Sequence, residues 1–283
     1  TLMAISDQAN VGRSLYLQAL TLADASGDAS VIRTVRMNAH LGLAHPDDVS
    51  LRRRVSDELL AIGDPEARWE GHFVRFGLAL IDADRDAIDT AVGQLRSLTP
   101  LVKQRNRDRG LSQIESVVAF LDGDFELAEQ IADATLHASL GSQQVSWAMS
   151  SYAALLLPIR AAQRRVGELL DAVEALTASS PDFATWHVMT ALVACARDDT
   201  TAMAREIEYL AERDFRFVED VTWTAVATEL ARPIRALGDR DAAALLRERL
   251  MPHAGTMTWN GLSTHRPVDA GLACLADVLG DAD

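Results

Sequence analysis

LSQIESVVAFLDGDFELAEQIADATL, residues 111–136, reads as two helices joined by a turn. Ile114, Val117, Val118 and Leu121 recur at i, i+3, i+4 and i+7, and Ala128, Ile131, Ala132 and Leu136 form a second apolar stripe. Neither half alternates as a strand would. Gly123 suits the left-handed residue that ends one helix, and Asp124 suits the N-cap of the next, where a carboxylate accepts orphan amide hydrogens. So short a connection makes the pair antiparallel.

Similar punctuation runs outward in both directions. Upstream, helices are expected over about 9–26, from there to about 44, and to Ile62, with His45-Pro46-Asp47-Asp48 as a stop and restart whose aspartates cap the new helix. Gly63-Asp64-Pro65 opens another helix that ends near Asp82, and Pro65 fits the first turn because its missing amide hydrogen would be unbonded there. A further helix runs from Asp84 to Leu98 and closes at Thr99-Pro100. Downstream, a helix from 142 to 157 passes through Trp147 and is broken or kinked by Pro158. Others are expected near 160–178, 181–197, 199–213, 219–236 and 239–251. Residues 252–266, PHAGTMTWNGLSTHR, suspend the pattern, and a last helix follows over about 267–279.

Two spacings show a repeat. Trp69, Trp147, Trp186, Trp223 and Trp259 lie 78, 39, 37 and 36 residues apart, the first interval being two steps with the missing rung near Arg107 to Gly110. Asp84, Asp124, Asp199, Asp239 and Asp281 lie 40, 75, 40 and 42 apart, again with one double step. Units of about 40 residues holding two helices each are the mark of an α-solenoid, in which every hairpin buries its apolar face on its neighbours. The expectation is an all-α chain, one helical-repeat domain over 1–283, with roughly seven antiparallel hairpins in a right-handed superhelix. The tryptophans read first as packing residues near the start of each unit, with ligand stacking as the alternative.

The units resemble tetratricopeptide repeats, which place a Trp early in the first helix and a small residue early in the second: Ala128, Ala202 and Ala243 each follow an aspartate by four, while Ile88 departs from the pattern. Three longer stretches carry a second resemblance: GDPEARWEGHFVRFGLAL at 63–80, FLDGDFELAEQIADATL, and LRERLMPHAGTMTWNGLSTHRPVDAGLACLADVLGD at 246–281. Together they are similar to the helical C-terminal region of actinobacterial signalling proteins in which a nucleotide-binding AAA or STAND ATPase module precedes tetratricopeptide-like repeats. Adenylate cyclase or LuxR-type DNA-binding domains accompany such modules. The resemblance implies a fragment of a larger cytoplasmic regulator, acting as a scaffold or sensor that binds a peptide, a sister domain or a small effector in a concave groove lined by the first helices.

Composition agrees with helices and limits the partners. The chain of 283 residues is 48% hydrophobic and only 5% aromatic, and its net charge of −14 disfavours direct contact with nucleic acid or an anionic membrane. Cys195 and Cys274 are far apart in sequence, and no apolar run reaches membrane-spanning length. No ATPase phosphate loop, His-Glu-x-x-His, Cys-x-x-Cys or Gly-x-Ser-x-Gly occurs, so neither cofactor nor catalysis is expected. A helical-repeat hydrolase with paired carboxylates is the competing reading, for which Asp82, Asp84, Asp86 and Asp89 are the available acids; they cluster at a helix start, where capping and the helix dipole explain them better.

Partner contacts are assigned to Arg105, Arg109, Arg75 and Trp147. Arg105 and Arg109 lie one turn apart and, with Lys103 and Arg107, form the densest positive spot in an acidic chain; with acidic neighbours plentiful, structural ion pairing is the first reading of that spot and contact with an acidic partner the second. Arg52, Arg53 and Arg54, being consecutive, fan around a helix and read as a solvated face. The final helix carries Val268, Leu272, Leu275, Ala276 and Leu279 with no helix after it, so an exposed apolar stripe and self-association through the C-terminal repeat are expected.

Overall fold

In the computed structural model, residues 9–38, 42–43, 45–102, 106–140, 145–179, 184–215 and 222–281 are described. The side chains of residues 9, 10, 106, 145–147, 150 and 179 lie outside that description. Fourteen α-helices are present among the described residues: α1 Ala9–Ser26, α2 Ala29–Arg36, α3 Val49–Ile62, α4 Pro65–Ile81, α5 Arg85–Leu98, α6 Asn106–Leu121, α7 Phe125–Ser139, α8 Val145–Ala162, α9 Leu170–Ser179, α10 Ala184–Ala196, α11 Thr200–Ala211, α12 Trp223–Leu237, α13 Arg240–Leu250 and α14 Val268–Leu279. Among the same residues the one β-type pairing is an isolated antiparallel bridge between Met257 and Pro267.

One turn recurs between paired helices. A residue with positive φ, at Gly27, Ala83, Gly123, Asp198 and Gly238, is followed by an aspartate that opens the next helix. In the last four of these the aspartate amide donates back to the carbonyl five residues earlier: Asp84 to Ala79 at 3.0 Å, Asp124 to Ala119 at 3.0 Å, Asp199 to Ala194 at 2.9 Å and Asp239 to Ile234 at 3.3 Å. Its carboxylate then accepts from the third amide of the new helix, at 3.0 Å in Ala87, Leu127, Ala202 and Ala242 alike. The double step in the aspartate spacing also holds this turn, with Arg164 at φ 58 and Arg165 donating to the Arg160 carbonyl at 2.7 Å. Arg165 has no oxygen to cap with, so the chain enters a 3-10 turn, Val166–Leu169, before α9 begins.

The chain falls into two compact units, Thr1–Ile159 with Gly261–Ser263, and Arg160–Asn260 with Thr264–Asp283. Within the first, α1 packs on α2, α3 on α4, α4 on α5 and α6 on α7. One apolar cluster gathers Leu43, Val55, Leu59 and Ala67 under Tyr16, Leu17, Met37 and Leu51, and another joins Ala119 and Ala128 to Ile159. Within the second, α10 lies against α9, α11 and α12, and α12 also meets α13 and α14. Helices α4 and α12 touch helices on both sides and are therefore buried almost all round: twelve of the seventeen residues of α4 are buried, and ten of the fifteen of α12.

Several expectations change. Pro158 does not end its helix, for α8 continues to Ala162 with Pro158 buried inside it. Helix α2 closes at Arg36, earlier than expected. Asp48 makes no cap bond; it sits in a short 3-10 turn and takes both nitrogens of Arg13 at 2.8 and 2.6 Å, a charge-assisted fork stronger than a cap. Arg52 is buried near Asp48, and burial lowers its pKa to about 10, whereas Arg53 and Arg54 are solvated as expected. The C-terminal stripe is covered by its own chain: α14 packs on α12 and α13, which bury Val268 and Leu275 completely and half-bury Leu272, Ala276 and Leu279. The irregular segment folds back, so the helices needed to cover α14 precede it.

The turn makes two opposite predictions. Asp124→Ala removes a cap and should lower unfolding free energy by about 1 kcal/mol. Ala83→Gly should raise it by about 0.5 kcal/mol, the surplus of roughly 1–2 kcal/mol of left-handed strain over the roughly 0.4–1 kcal/mol entropic penalty of glycine. Urea denaturation of the two variants beside the parent measures both.

Candidate functional site

The residues assigned to partner binding are not gathered into one patch among the described side chains. Arg105 and Lys103 lie outside the described residues; so does the side chain of Trp147, whose backbone belongs to α8. Arg75 is exposed on α4 and pairs with Asp57 of α3 at 2.8 Å. Arg109 is half-buried on α6, its Nη1 3.4 Å from the Ser139 hydroxyl of α7. The two arginines therefore face different helices.

Arg107, counted with the positive spot, turns inward instead. Its Nη1 donates to Glu70 Oε2 at 3.0 Å, and its guanidinium stacks on the Trp69 ring at 4.2 Å. The Glu70 side chain is fully buried, so the charge is held where water cannot stabilise it and only its bonded partners do. Trp69 also donates its indole hydrogen to Thr99 Oγ1 at 3.0 Å and stacks on Phe73. Gly110 makes room: a Cβ there would come within 3.1 Å of the Trp69 ring edge. Thus the missing rung of the tryptophan spacing is filled by Trp69 from the preceding hairpin. Trp223 is likewise buried, 5.2 Å from the His253 ring, and Trp186 is half-buried.

In the second unit the irregular segment is tied down by a comparable group. Thr258 is its centre: the amide donates to the Arg266 carbonyl at 3.2 Å, the hydroxyl donates to the same carbonyl at 2.9 Å, and the hydroxyl oxygen accepts from the His265 amide at 3.1 Å. Arg266 Nε then reaches Glu229 of α12 at 3.0 Å, with His265 Nδ1 3.7 Å from the same oxygen. Burial pushes the Glu229 carboxyl up, but the His265 imidazole and the charges of Arg266 and Arg232 outweigh it and hold the pKa below 4.5. Trp259 is buried beside this tie, its main chain against Thr224 of α12. Glu70–Arg107 and Glu229–Arg266 are both 37 residues apart. That separation is one repeat, the signal by which the spacing of opposite charges in the sequence could have revealed them.

A third buried pair joins His187 of α10 to Glu206 of α11 at 2.6 Å, with Tyr209 stacked on the imidazole at 3.8 Å. The competing acids are engaged at the surface: Asp84 caps α5, Asp82 pairs with Arg53 and Asp89 with Arg85. Between α6, α7 and α8 a cavity of about 10 Å3 is lined by Gln113, Thr135, Ser139, Tyr152 and apolar neighbours, room for about one water. Among the described residues, no three His, Cys, Asp or Glu side chains gather as a metal ion requires, and no helix is long and apolar enough to cross a membrane. No protein-family model matches the chain, and no curated protein or solved structure matches it.

Removing one partner of a buried pair strands the other. Arg107→Leu should destabilise the protein by about 3 kcal/mol, and adding Glu70→Leu to that variant should recover most of the loss, since the leucines can fill the same space without charge. For Glu229 the folded pKa is depressed, so its contribution is complete well above the ordinary glutamate pKa and is lost as pH falls through the lowered folded value. Between about pH 5.5 and pH 3 the parent should lose stability more steeply than Glu229→Gln, as read by thermal melts across the series.

Proposed function

We propose that the hairpins build a tetratricopeptide-like, right-handed α-solenoid of roughly seven repeats, and that it serves as a non-catalytic interaction scaffold of a multidomain bacterial regulator in the cytoplasm. The observation that carries this reading is the return of one turn, a left-handed residue then an N-cap position, at Ala83, Gly123, Arg164, Asp198 and Gly238. Ion pairs also span one period: Arg85 to Asp122, Arg107 to Glu70 and Arg266 to Glu229, all 37 residues apart. Repeats stacked in this way offer long rigid surfaces, and such surfaces suit peptides and neighbouring domains. The sequence resemblance to ATPase-linked regulators supplies the context, a sister domain of the same protein being the favoured partner, with a peptide or small effector beside it.

Arg75 is the best placed of the four contact residues. Its pair with Asp57 is at the surface, where such pairs contribute little, so a partner carboxylate could replace Asp57 at small cost. Arg109 on α6 and Trp147 on α8 belong to the next first helices, and with Arg105, which lies outside the described residues, they complete the proposed contact set. The test is capture of the parent protein's remaining domains by this chain, with and without nucleotide. Charge reversal at Arg75 and Arg109 should weaken capture several-fold and flatten its dependence on salt, because rim charges act mainly through long-range attraction. Capture that ignores both substitutions across a salt series rejects these contacts, and failure to capture in either nucleotide state rejects the scaffold role.

A further inference from the structure

Helix α4 carries a row of three basic residues that the ion pairs of the fold leave almost unused. Arg68, His72 and Arg75 recur at i, i+4 and i+7, so they share one face and span about 10 Å along the axis. Acidic residues outnumber basic ones 41 to 27, yet among the described residues the half-buried Arg68 makes no side-chain hydrogen bond or ion pair. The two acids that open the helix, Asp64 and Glu66, are both taken by Arg33 of α2. Arg75 has its surface contact with Asp57, made through one guanidinium nitrogen.

Between the two arginines, His72 is only 8% exposed. Among the described residues neither of its ring nitrogens is hydrogen-bonded, and neither is sealed in the interior, so the part of the residue that meets solvent includes them. An imidazole packed this deeply ordinarily has its nitrogens bonded. Burial first, then the charges of Arg75 and Arg68, push its pKa down to about 4, so at neutral pH the ring is uncharged and has one N–H to donate. Seven residues within 9–140 lie outside the description, and none of them is an acid; their titratable members are His40, Lys103 and Arg105. That stretch therefore holds no undescribed carboxylate to neutralise the row.

We propose that this row binds the phosphate group of a small phosphate monoester, held by Arg68 and Arg75 with His72 donating between them. Two permanent positive charges match the charge of nearly −2 that such a group carries at neutral pH, and its three terminal oxygens meet three donors in a line. A carboxylate brings one charge and two oxygens and leaves one member of the row unmet. Asp57 is the resident competitor, and an incoming dianion displaces it from Arg75 at small cost because that pair is at the surface. The site lies within the first unit alone and needs no sister domain, so it stands or falls separately from partner capture.

Isothermal titration of the chain near neutral pH and at constant ionic strength, with inorganic phosphate, phenyl phosphate and acetate, tests the proposal. Both phosphates should bind at one site with a dissociation constant of about 0.1–1 mM, and acetate should bind at least about tenfold more weakly. Arg68→Gln should weaken phosphate binding about tenfold or more, and Asp57→Asn should tighten it about threefold by freeing Arg75. Neither residue is buried, so both variants should melt like the parent. Arg96→Gln, which removes a surface arginine paired with Glu115, should bind phosphate unchanged. In proton–nitrogen NMR correlations the His72 ring signals should shift as phosphate saturates. The proposal is overturned if no saturable phosphate binding appears up to about 20 mM, if acetate binds as well as phosphate, or if Arg68→Gln leaves the affinity intact. Inorganic phosphate accepted while phenyl phosphate is refused also overturns it, as do His72 signals that ignore saturation.

Discussion

A left-handed residue followed by an N-cap is the constraint from which the rest of this structure follows. The backbone reverses within three residues, two orphan carbonyls and one orphan amide are satisfied locally, and the second helix starts against the first with its register fixed. Once that register is set, the apolar positions of both helices face the same layer and burial does the remainder. Where the turn carries glycine the left-handed conformation is unstrained. At Ala83 and Asp198 the packing of two helices has to hold a side chain there.

Between hairpins the connection is made by charge as well as by apolar contact. Arg240 donates to the Val278 and Leu279 carbonyls at 2.9 and 2.6 Å, capping the end of a helix one repeat away, and Arg247 reaches Asp281 in the same region. In a chain whose basic residues are nearly all arginine, a planar fork is available wherever a carboxylate or helix end must be met at two points. Most of these pairs lie at the surface and add little stability each. The buried ones are different, since Glu70 and Glu229 fix which residue of one hairpin sits against which residue of another.

What could be read in the sequence was what is decided locally. The caps at Asp64, Asp84, Asp124, Asp199 and Asp239 depend on residues within a few positions, and the helix limits that follow from them agree with the structure to within a residue or two. Burial of charge was not readable in the same way. Arg52, Arg53 and Arg54 look alike along the chain, and only the position of Asp48 and the helices around it makes the first an interior residue. Arg107 reads locally as surface charge because Glu70 and Trp69, which hold it inside, lie 37 and 38 residues away in sequence. The stripe of α14 has no helix after it to cover it, and its cover comes from earlier in the chain, because the segment between Met251 and Pro267 carries the chain back onto α12.

The turn at Arg164 and Arg165 bears on how the molecule opens. Every other turn of the series has a carboxylate holding the first amides of its second helix, while here those amides meet only a 3-10 turn. In native-state hydrogen exchange, the start of α9 would then trade its amide hydrogens through local fraying at far lower free energy than the starts of α5, α7, α11 and α13. Limited proteolysis would then find its first foothold at the start of α9 before it reached those capped helix starts.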